Sequence, residues 1–442
     1  MKMNERIFIL FLMGILLISG CVNQEPETED VGEKIEEYKE ISTFEECAKA
    51  GYQILMTHPR QCITPDGRTF TEKVASEEAG EGGEISSIEL LKKVEVGVGA
   101  RPEVVATRDR VFVVYIDTAI KGRQAFSVKI YDEDMNNEIA YKILVSTSVE
   151  YGKPTDIRVA SDGQYLYAFY ETVDMNIGKA YLWGAKYRLD DNFERVAYTS
   201  SPITTGPIFT KAQSGDEKVD DPITLIGPNS VFVITRIKQR SFSQNEPMIY
   251  RVREFSKDLQ TKLFEFDLDL SSVADGGPRQ ASAYYYKGYY YMVVPTTTGN
   301  GDYPESMATP SDLLLVKLDK DWKIVESNNL SQDHEDIETF VLGFEIYNGL
   351  FFVTYKQGMP FVCPLKVYDQ NLNLVSSKIV KETSTRESLR SALEVTDDRI
   401  YVGLSAGQGP PPPGAKIKST SREPGTAEIY VYEIVWGTRK FE

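Results

Sequence analysis

The chain repeats itself, and the repeat constrains what it can fold into. From about residue 86 a strongly apolar, strand-forming run recurs six times, as Val111–Tyr115, Leu166–Tyr170, Val231–Thr235, Tyr290–Val294, Phe351–Tyr355 and Ile400–Leu404. Turn residues precede each run, among them Asp162-Gly163-Gln164, Pro228-Asn229-Ser230, Lys287-Gly288 and Asn348-Gly349. Apolar on both alternating faces, such runs predict strands buried between neighbouring sheets. A second feature follows the first five of them. Tyr131-Asp132-Glu133-Asp134-Met135, Leu189-Asp190-Asp191-Asn192-Phe193, Phe255-Ser256-Lys257-Asp258-Leu259, Leu318-Asp319-Lys320-Asp321-Trp322 and Tyr368-Asp369-Gln370-Asn371-Leu372 align without gaps. The first Asp or Ser opens a hairpin turn by accepting backbone amides ahead of it. The Asp or Asn two residues on is expected to take the tight conformation, and the apolar residue after it to start the return strand.

Each unit then holds four strands in about sixty residues, the spacing of propeller blades. Six apolar strands predict six blades, yet only five second hairpins are complete, because the sixth unit stops after Glu428–Val435. The missing outer strand is available upstream in Ile88–Val96, and pairing it with the last blade would close the ring and remove exposed edges. The predicted fold class is all-β: a six-bladed β-propeller over residues 86–442, closed by an N-terminal strand. The rhythm of Arg101–Ala106 before Val111–Tyr115 resembles propellers of the sialidase-like group and other lipoprotein propellers. The aspartate turns occupy the place of the sialidase Asp box, although Ser-x-Asp-x-Gly-x-Thr-Trp itself is absent. The resemblance implies the fold and carries no catalytic residue across.

Residues 1–20 read as a signal peptide. Lys2 and Arg6 precede an apolar run, Ile7–Ile18, that is too short to span a bilayer. Ile18-Ser19-Gly20-Cys21 resembles a lipobox, which implies cleavage before Cys21, lipid on its sulfur, and export to the outer face of the membrane. Residues 21–40 are acidic and nearly devoid of bulky apolar side chains, and so read as a tether. Residues 41–74 read as a small α+β module: Ser42 or Thr43 caps a helix with Glu45 or Glu46, Gly51 ends it, and Pro65-Asp66-Gly67 turns into the strand Thr69-Phe70-Thr71. With Cys21 assigned to lipid, Cys47 and Cys62 are expected to pair, and Cys363 to be a buried, inert thiol. The run from Cys47 to Phe70 resembles a two-cysteine module of exported microbial proteins, and no activity follows from that. Residues 75–85 read as a linker.

A formal net charge of −17 repels phosphate backbones, so nucleic acid is not an expected partner. Long connections (200–222, 237–248, 295–311, 327–338 and 406–427) are expected on one face, which marks it as the working face. Candidate binding residues at the strand ends lining that mouth are Arg101, Asp117, Asp156, Arg158, Asp221, Arg236, Arg279, Tyr355, Lys356 and Arg390. Converging arginines suit a carboxylate or sugar acid, paired carboxylates suit acid/base work on a glycosidic bond, and salt bridges among them would be structural. With only His58 and His334 present, a histidine-rich zinc site in the propeller is excluded. Asp333-His334-Glu335-Asp336 could contribute to a calcium site but lacks calcium-loop spacing, so no cofactor is expected. Gly407–Pro413 reads as a semi-rigid loop. No nucleotide, hydrolase-elbow or kinase motif is present. The expectation is a membrane-anchored binding protein with a glycan or protein partner. The alternative is a carbohydrate-active enzyme with paired carboxylates in the mouth.

Overall fold

The computed structural model describes residues 41–50, 52–55, 61–66, 68–71, 84–120, 124–146, 152–207, 216–237, 247–274, 280–296, 312–330, 338–357, 361–383, 391–406 and 425–437. The chain divides into two compact units, a small N-terminal one and a large one that holds everything from Lys73 onward. The expected signal peptide and tether with Cys21, and Gly51, His58, His334 and the proline-rich loop, lie outside the described residues.

The large unit is a six-bladed β-propeller of antiparallel sheets. Listed from the inside outward, blade 1 is the C-terminal part of Ile85–Ala106, then Arg110–Asp117, Ala125–Asp132 and Glu138–Ser146. Blade 2 is Lys153–Ser161, Tyr165–Asp174, Lys179–Arg188 and a broken outer strand, Arg195–Tyr198 plus Thr204–Pro207. Blade 3 is Glu217–Ile226, Ser230–Ile237, Ile249–Ser256 and Lys262–Asp269. Blade 4 is Ser282–Tyr286, Tyr289–Pro295, Leu313–Leu318 and Ile324–Asn329. Blade 5 is Glu338–Tyr347, Leu350–Gln357, Phe361–Tyr368 and Leu374–Thr383. Blade 6 is Ser391–Val395, Arg399–Ala406, Thr426–Trp436 and the N-terminal part of Ile85–Ala106. The long connection expected over 200–222 thus contains two strands, one finishing blade 2 and one opening blade 3.

Ring closure is direct. Ile85–Ala106 is one continuous strand whose first part pairs with the last strand of the chain (Leu90 with Tyr432, Lys93 with Tyr430), while Gly99–Ala106 pairs with Arg110–Asp117. The seam is reinforced at Glu428, a buried carboxylate that Lys93 meets at 2.7 Å and Lys381 at 3.1 Å. Packing reports the same closure. Six apolar clusters fill the spaces between consecutive blades, including one that joins Val111, Val113 and Tyr115 of blade 1 to Tyr401 and Ile429 of blade 6. An open stack of six blades would leave that last interface empty.

The aspartate turns work differently from the expectation. The opening Asp accepts the predicted amides, as where Asp190 takes those of Asn192 (2.9 Å) and Phe193 (2.8 Å), and Asp369 those of Asn371 and Asn373 (2.8 Å each). The left-handed residue, however, is the apolar one after the second Asp or Asn: φ is 52° at Met135, 42° at Phe193, 60° at Leu259, 61° at Trp322 and 64° at Leu372. This is a type I turn followed by a left-handed bulge residue, a place glycine usually holds. A bulky side chain is tolerated there because it inserts into the cluster shared with the preceding blade: Met135 between blades 6 and 1, Phe193 between 1 and 2, Leu259 between 2 and 3, Trp322 between 3 and 4, and Leu372 against the cluster between 4 and 5. The interface between blades 5 and 6 has no such turn, and Trp436 and Ile85 at the seam pack against it instead.

The small unit, taken by itself, is a helix, Phe44–Lys49, and a three-stranded sheet, joined by a Cys47–Cys62 disulfide. The cap is Thr43 with Glu46: Glu46 donates its amide to Thr43 Oγ1 at 3.2 Å, and its carboxylate accepts the amides of Ser42 (2.8 Å) and Thr43 (3.2 Å). Those bonds, led by the one from the Ser42 amide, hold the Glu46 carboxyl below its usual range. Cys363 is buried on blade 5, and burial pushes its thiol up to about 12.

Candidate active site at the propeller mouth

In an antiparallel blade the inner strand starts, and the second strand ends, on one face of the ring. The long connections leave from that same face. At this rim the inner strands of blades 1, 2 and 3 each break register, between Ala100 and Glu103, Pro154 and Asp156, and Lys218 and Ile223. Bulges re-aim side chains that a regular ladder would send elsewhere. Two of the bulge residues, Arg101 (φ 52°) and Asp221 (φ 49°), hold left-handed backbones without being glycine. Strain of this kind persists where surrounding contacts enforce it.

Those contacts join three blades. Asp156, almost wholly buried, accepts the Asp221 amide at 2.7 Å through Oδ2, which also meets Arg101 Nη1; its Oδ1 accepts the amide of Ile157 at 3.0 Å. Asp221 lies 3.4 Å from Arg236 Nη2, 3.9 Å from Arg101 and 4.0 Å from Arg158. Arg158 also pairs with Glu103, whose other oxygen accepts the Val159 amide at 3.4 Å. Burial raises the Glu103 carboxyl to about 7 against the pull of Arg158. Five of the ten sequence candidates, Arg101, Asp156, Arg158, Asp221 and Arg236, therefore meet in one network.

The other five do not join it in any described contact. Asp117 is committed within blade 1, where it accepts hydrogen bonds from the hydroxyls of Tyr115 (3.2 Å) and Tyr141 (2.8 Å) and from the Ala119 amide (2.8 Å). Tyr355 packs in the cluster between blades 4 and 5. Lys356 stands beside it on blade 5, and burial lowers its ammonium to about 8. Arg279 and Arg390 lie outside the described residues. Among the described residues no group of three or more His, Cys, Asp and Glu is placed to hold a metal ion.

Sequence reading missed the glutamates of the channel. Glu103, Glu345 and Glu394 lie on inner strands of blades 1, 5 and 6, and each accepts a backbone amide from the next blade round the ring: Val159 at 3.4 Å, Val395 at 2.6 Å and Ala106 at 3.1 Å. The one available signal was a Glu set among apolar residues in the first strand of three units. Burial lifts Glu394 to about 8 and Glu345 well above the carboxylate range, the Glu394 charge adding to the second. The Tyr284 phenol, which feels both carboxyls, is also held well above its ordinary value, chiefly by burial. A carboxyl that binds its proton more tightly folded than unfolded stabilises the fold below its unfolded value, and loses that contribution as pH rises through the folded one. We expect thermal stability to fall as pH rises from the ordinary carboxylate value of 4.5 to about 8, the window over which Glu394 is ionised in the unfolded chain but not in the folded one. Melting curves across that range should show a shallower slope for Glu394→Gln.

No family model and no curated protein matches the sequence. Among solved structures, the chain is similar to an endosialidase of phage phi92, with 10% identity and a TM-score of 0.49 over 86% of this chain and 73% of that one. It is also similar to an α-L-arabinofuranosidase from Fusarium graminearum solved with an iminosugar inhibitor, at 9% identity and a TM-score of 0.48 over 79% and 97%. A third similar structure is the RS223 β-xylosidase, at 11% identity and a TM-score of 0.41 over 78% and 96%. Likenesses of this size transfer no residue's role.

Proposed function

We propose that the protein is a carbohydrate-active propeller that holds a glycan in the mouth over blades 1–3 and cleaves it by acid/base catalysis. One observation carries this reading. Glu103, whose carboxyl burial raises to about 7, stands in one network with Asp156 and Asp221, carboxyl groups set against arginines. Carboxyl groups in unlike environments are what a general acid and its partner base require. In this reading Glu103 donates the proton to the leaving oxygen, Asp156 or Asp221 serves the opposite side, and the arginines orient the sugar. Turnover of a glycan panel tests it: Glu103→Gln should lower kcat by about 10²–10⁴-fold while the fold melts normally.

A second reading, binding without turnover, has its own observation. Arg101, Arg158 and Arg236 each face a carboxylate, so the network ties three blades together with no chemistry required. Binding of a panel member without turnover by the wild type would favour it. In both readings the protein is exported and held at the membrane by lipid on Cys21. Cys21→Ala should then release it from the membrane fraction.

A further inference from the structure

The bulge that carries Arg101 into the mouth leans on blade 6. Arg101 and Pro102 together stand opposite the single residue Tyr115, because the ladder pairs Ala100 with Ile116 and then Glu103 with Val114. Pro102 has no N–H to give that ladder, and a residue before proline favours extended backbone. The left-handed φ of 52° at Arg101 is therefore not a conformation the local sequence seeks. Three contacts from blade 6 meet this stretch. Arg101 donates its amide to Ser405 Oγ at 2.6 Å, and Ser405 is buried near the end of the second strand, Arg399–Ala406. Gly403, two residues earlier, lies against Pro102: a Cβ there would stand 3.0 Å from the Pro102 carbonyl oxygen and 3.3 Å from its ring carbon Cγ. Glu394, on the inner strand, accepts the Ala106 amide at 3.1 Å and fixes the far end of the bulged strand. On the other side the residues that flank Pro102 tie into blade 2, Arg101 at Asp156 and Glu103 at Arg158.

We infer that Ser405 and Gly403 are positioning residues of the mouth, holding the left-handed backbone that sends Arg101 to Asp156 and Asp221 and Glu103 to Arg158. Backbone strain persists only where its surroundings enforce it, and here the Ser405 hydroxyl and the space above Gly403 do so. Without the hydroxyl, the Arg101 amide loses the bond that offsets the strain. The backbone then relaxes toward the extended form, and the guanidinium swings away from Asp156. A methyl group at residue 403 acts from the opposite side, by pushing on Pro102 while the hydroxyl stays in place. Ser405 is almost wholly buried, so it works through Arg101. That the mouth serves a glycan is the reading above, and only the kinetic part of the test rests on it.

The test compares the full chain with Ser405→Ala, Ser405→Thr and Gly403→Ala, by crystal structure and by amide exchange in arginine-labelled protein. The Arg101 amide should exchange slowly in the wild type. Ser405→Ala should speed that exchange about tenfold or more and part Arg101 from Asp156, and Ser405→Thr, which keeps the acceptor oxygen, should restore both. Gly403→Ala should part the same pair. On a glycan that the wild type cleaves, Ser405→Ala should lower kcat about tenfold, with recovery in Ser405→Thr; a merely structural loss would appear in the melting curve and leave kcat of the folded protein unchanged. An Arg101 amide that exchanges as fast in the wild type as in Ser405→Ala, or an Arg101–Asp156 pair that stays in place in that variant, overturns the inference and leaves the glycan reading standing. If no glycan is turned over, the glycan reading falls, and the structures and exchange rates still decide this one. Should Ser405→Ala not fold, a fast wild-type amide or an intact pair in Gly403→Ala overturns the inference, and a slow amide with a parted pair upholds it.

Discussion

A chain that begins at Gly99 will not fold to a monomer with a cooperative melt, whereas one that begins at Glu84 will melt like the full-length protein. The two differ only by residues 84–98, whose strand is the outer edge of blade 6. Without them the eleven-residue strand Thr426–Trp436 becomes a bare edge, a template for pairing between molecules. Ile88 and Val96, both buried, leave the clusters on the two sides of blade 6. Glu428, buried, loses Lys93 and keeps Lys381. A single-domain fold stands only about 5–15 kcal/mol above its unfolded state, and losing a strand from a ring threatens all of it. Size-exclusion chromatography and calorimetric melting of the two truncations check the expectation. A sharp monomeric transition in the shorter chain would show that blades 1–5 stand without the seam.

The second large effect lies at Trp322. Its ring stacks on Tyr290 at 4.2 Å and meets Phe232 and Phe266 edge-on at 5.4 and 5.7 Å. Trp322→Ala should cost about 3–5 kcal/mol of stability through the cavity it leaves. The backbone adds a reversal of the usual order. At φ 61° alanine keeps the left-handed strain that glycine escapes, so Trp322→Gly should be about 1–2 kcal/mol more stable than Trp322→Ala. Denaturant melts of the two variants separate the contributions: the difference from wild type reports the packing, and the difference between variants reports the backbone.

The ring was legible because it rests on period and count. A strand left over at one end and a strand missing at the other are visible in any repeat, and the seam at Leu90 and Tyr432 follows from them. The turns were half legible. Asp190 and Asp369 act as their side-chain chemistry suggests. The positive φ at Phe193 and Leu372 was hidden because propensity assigns that conformation to Gly, Asn or Asp, while here the energy comes from a pocket formed by the adjacent blade. The site divides along the same line. Arg101, Asp156 and Asp221 announced themselves as charges at strand ends, yet the bulges that gather them leave no mark in composition. Glu345 and Glu394 went unremarked in the sequence, because nothing local reveals that the next blade supplies their amides.

The strand shared by blades 6 and 1 enters the ring at Ile85, beside Trp436, on the side of the short hairpins, and only afterwards crosses to the rim of the mouth at Val98 and Gly99. Both ends of the described ring are thus gathered on its back. The ring is entered and left on one face, while Arg101 and Asp221 stand at the other.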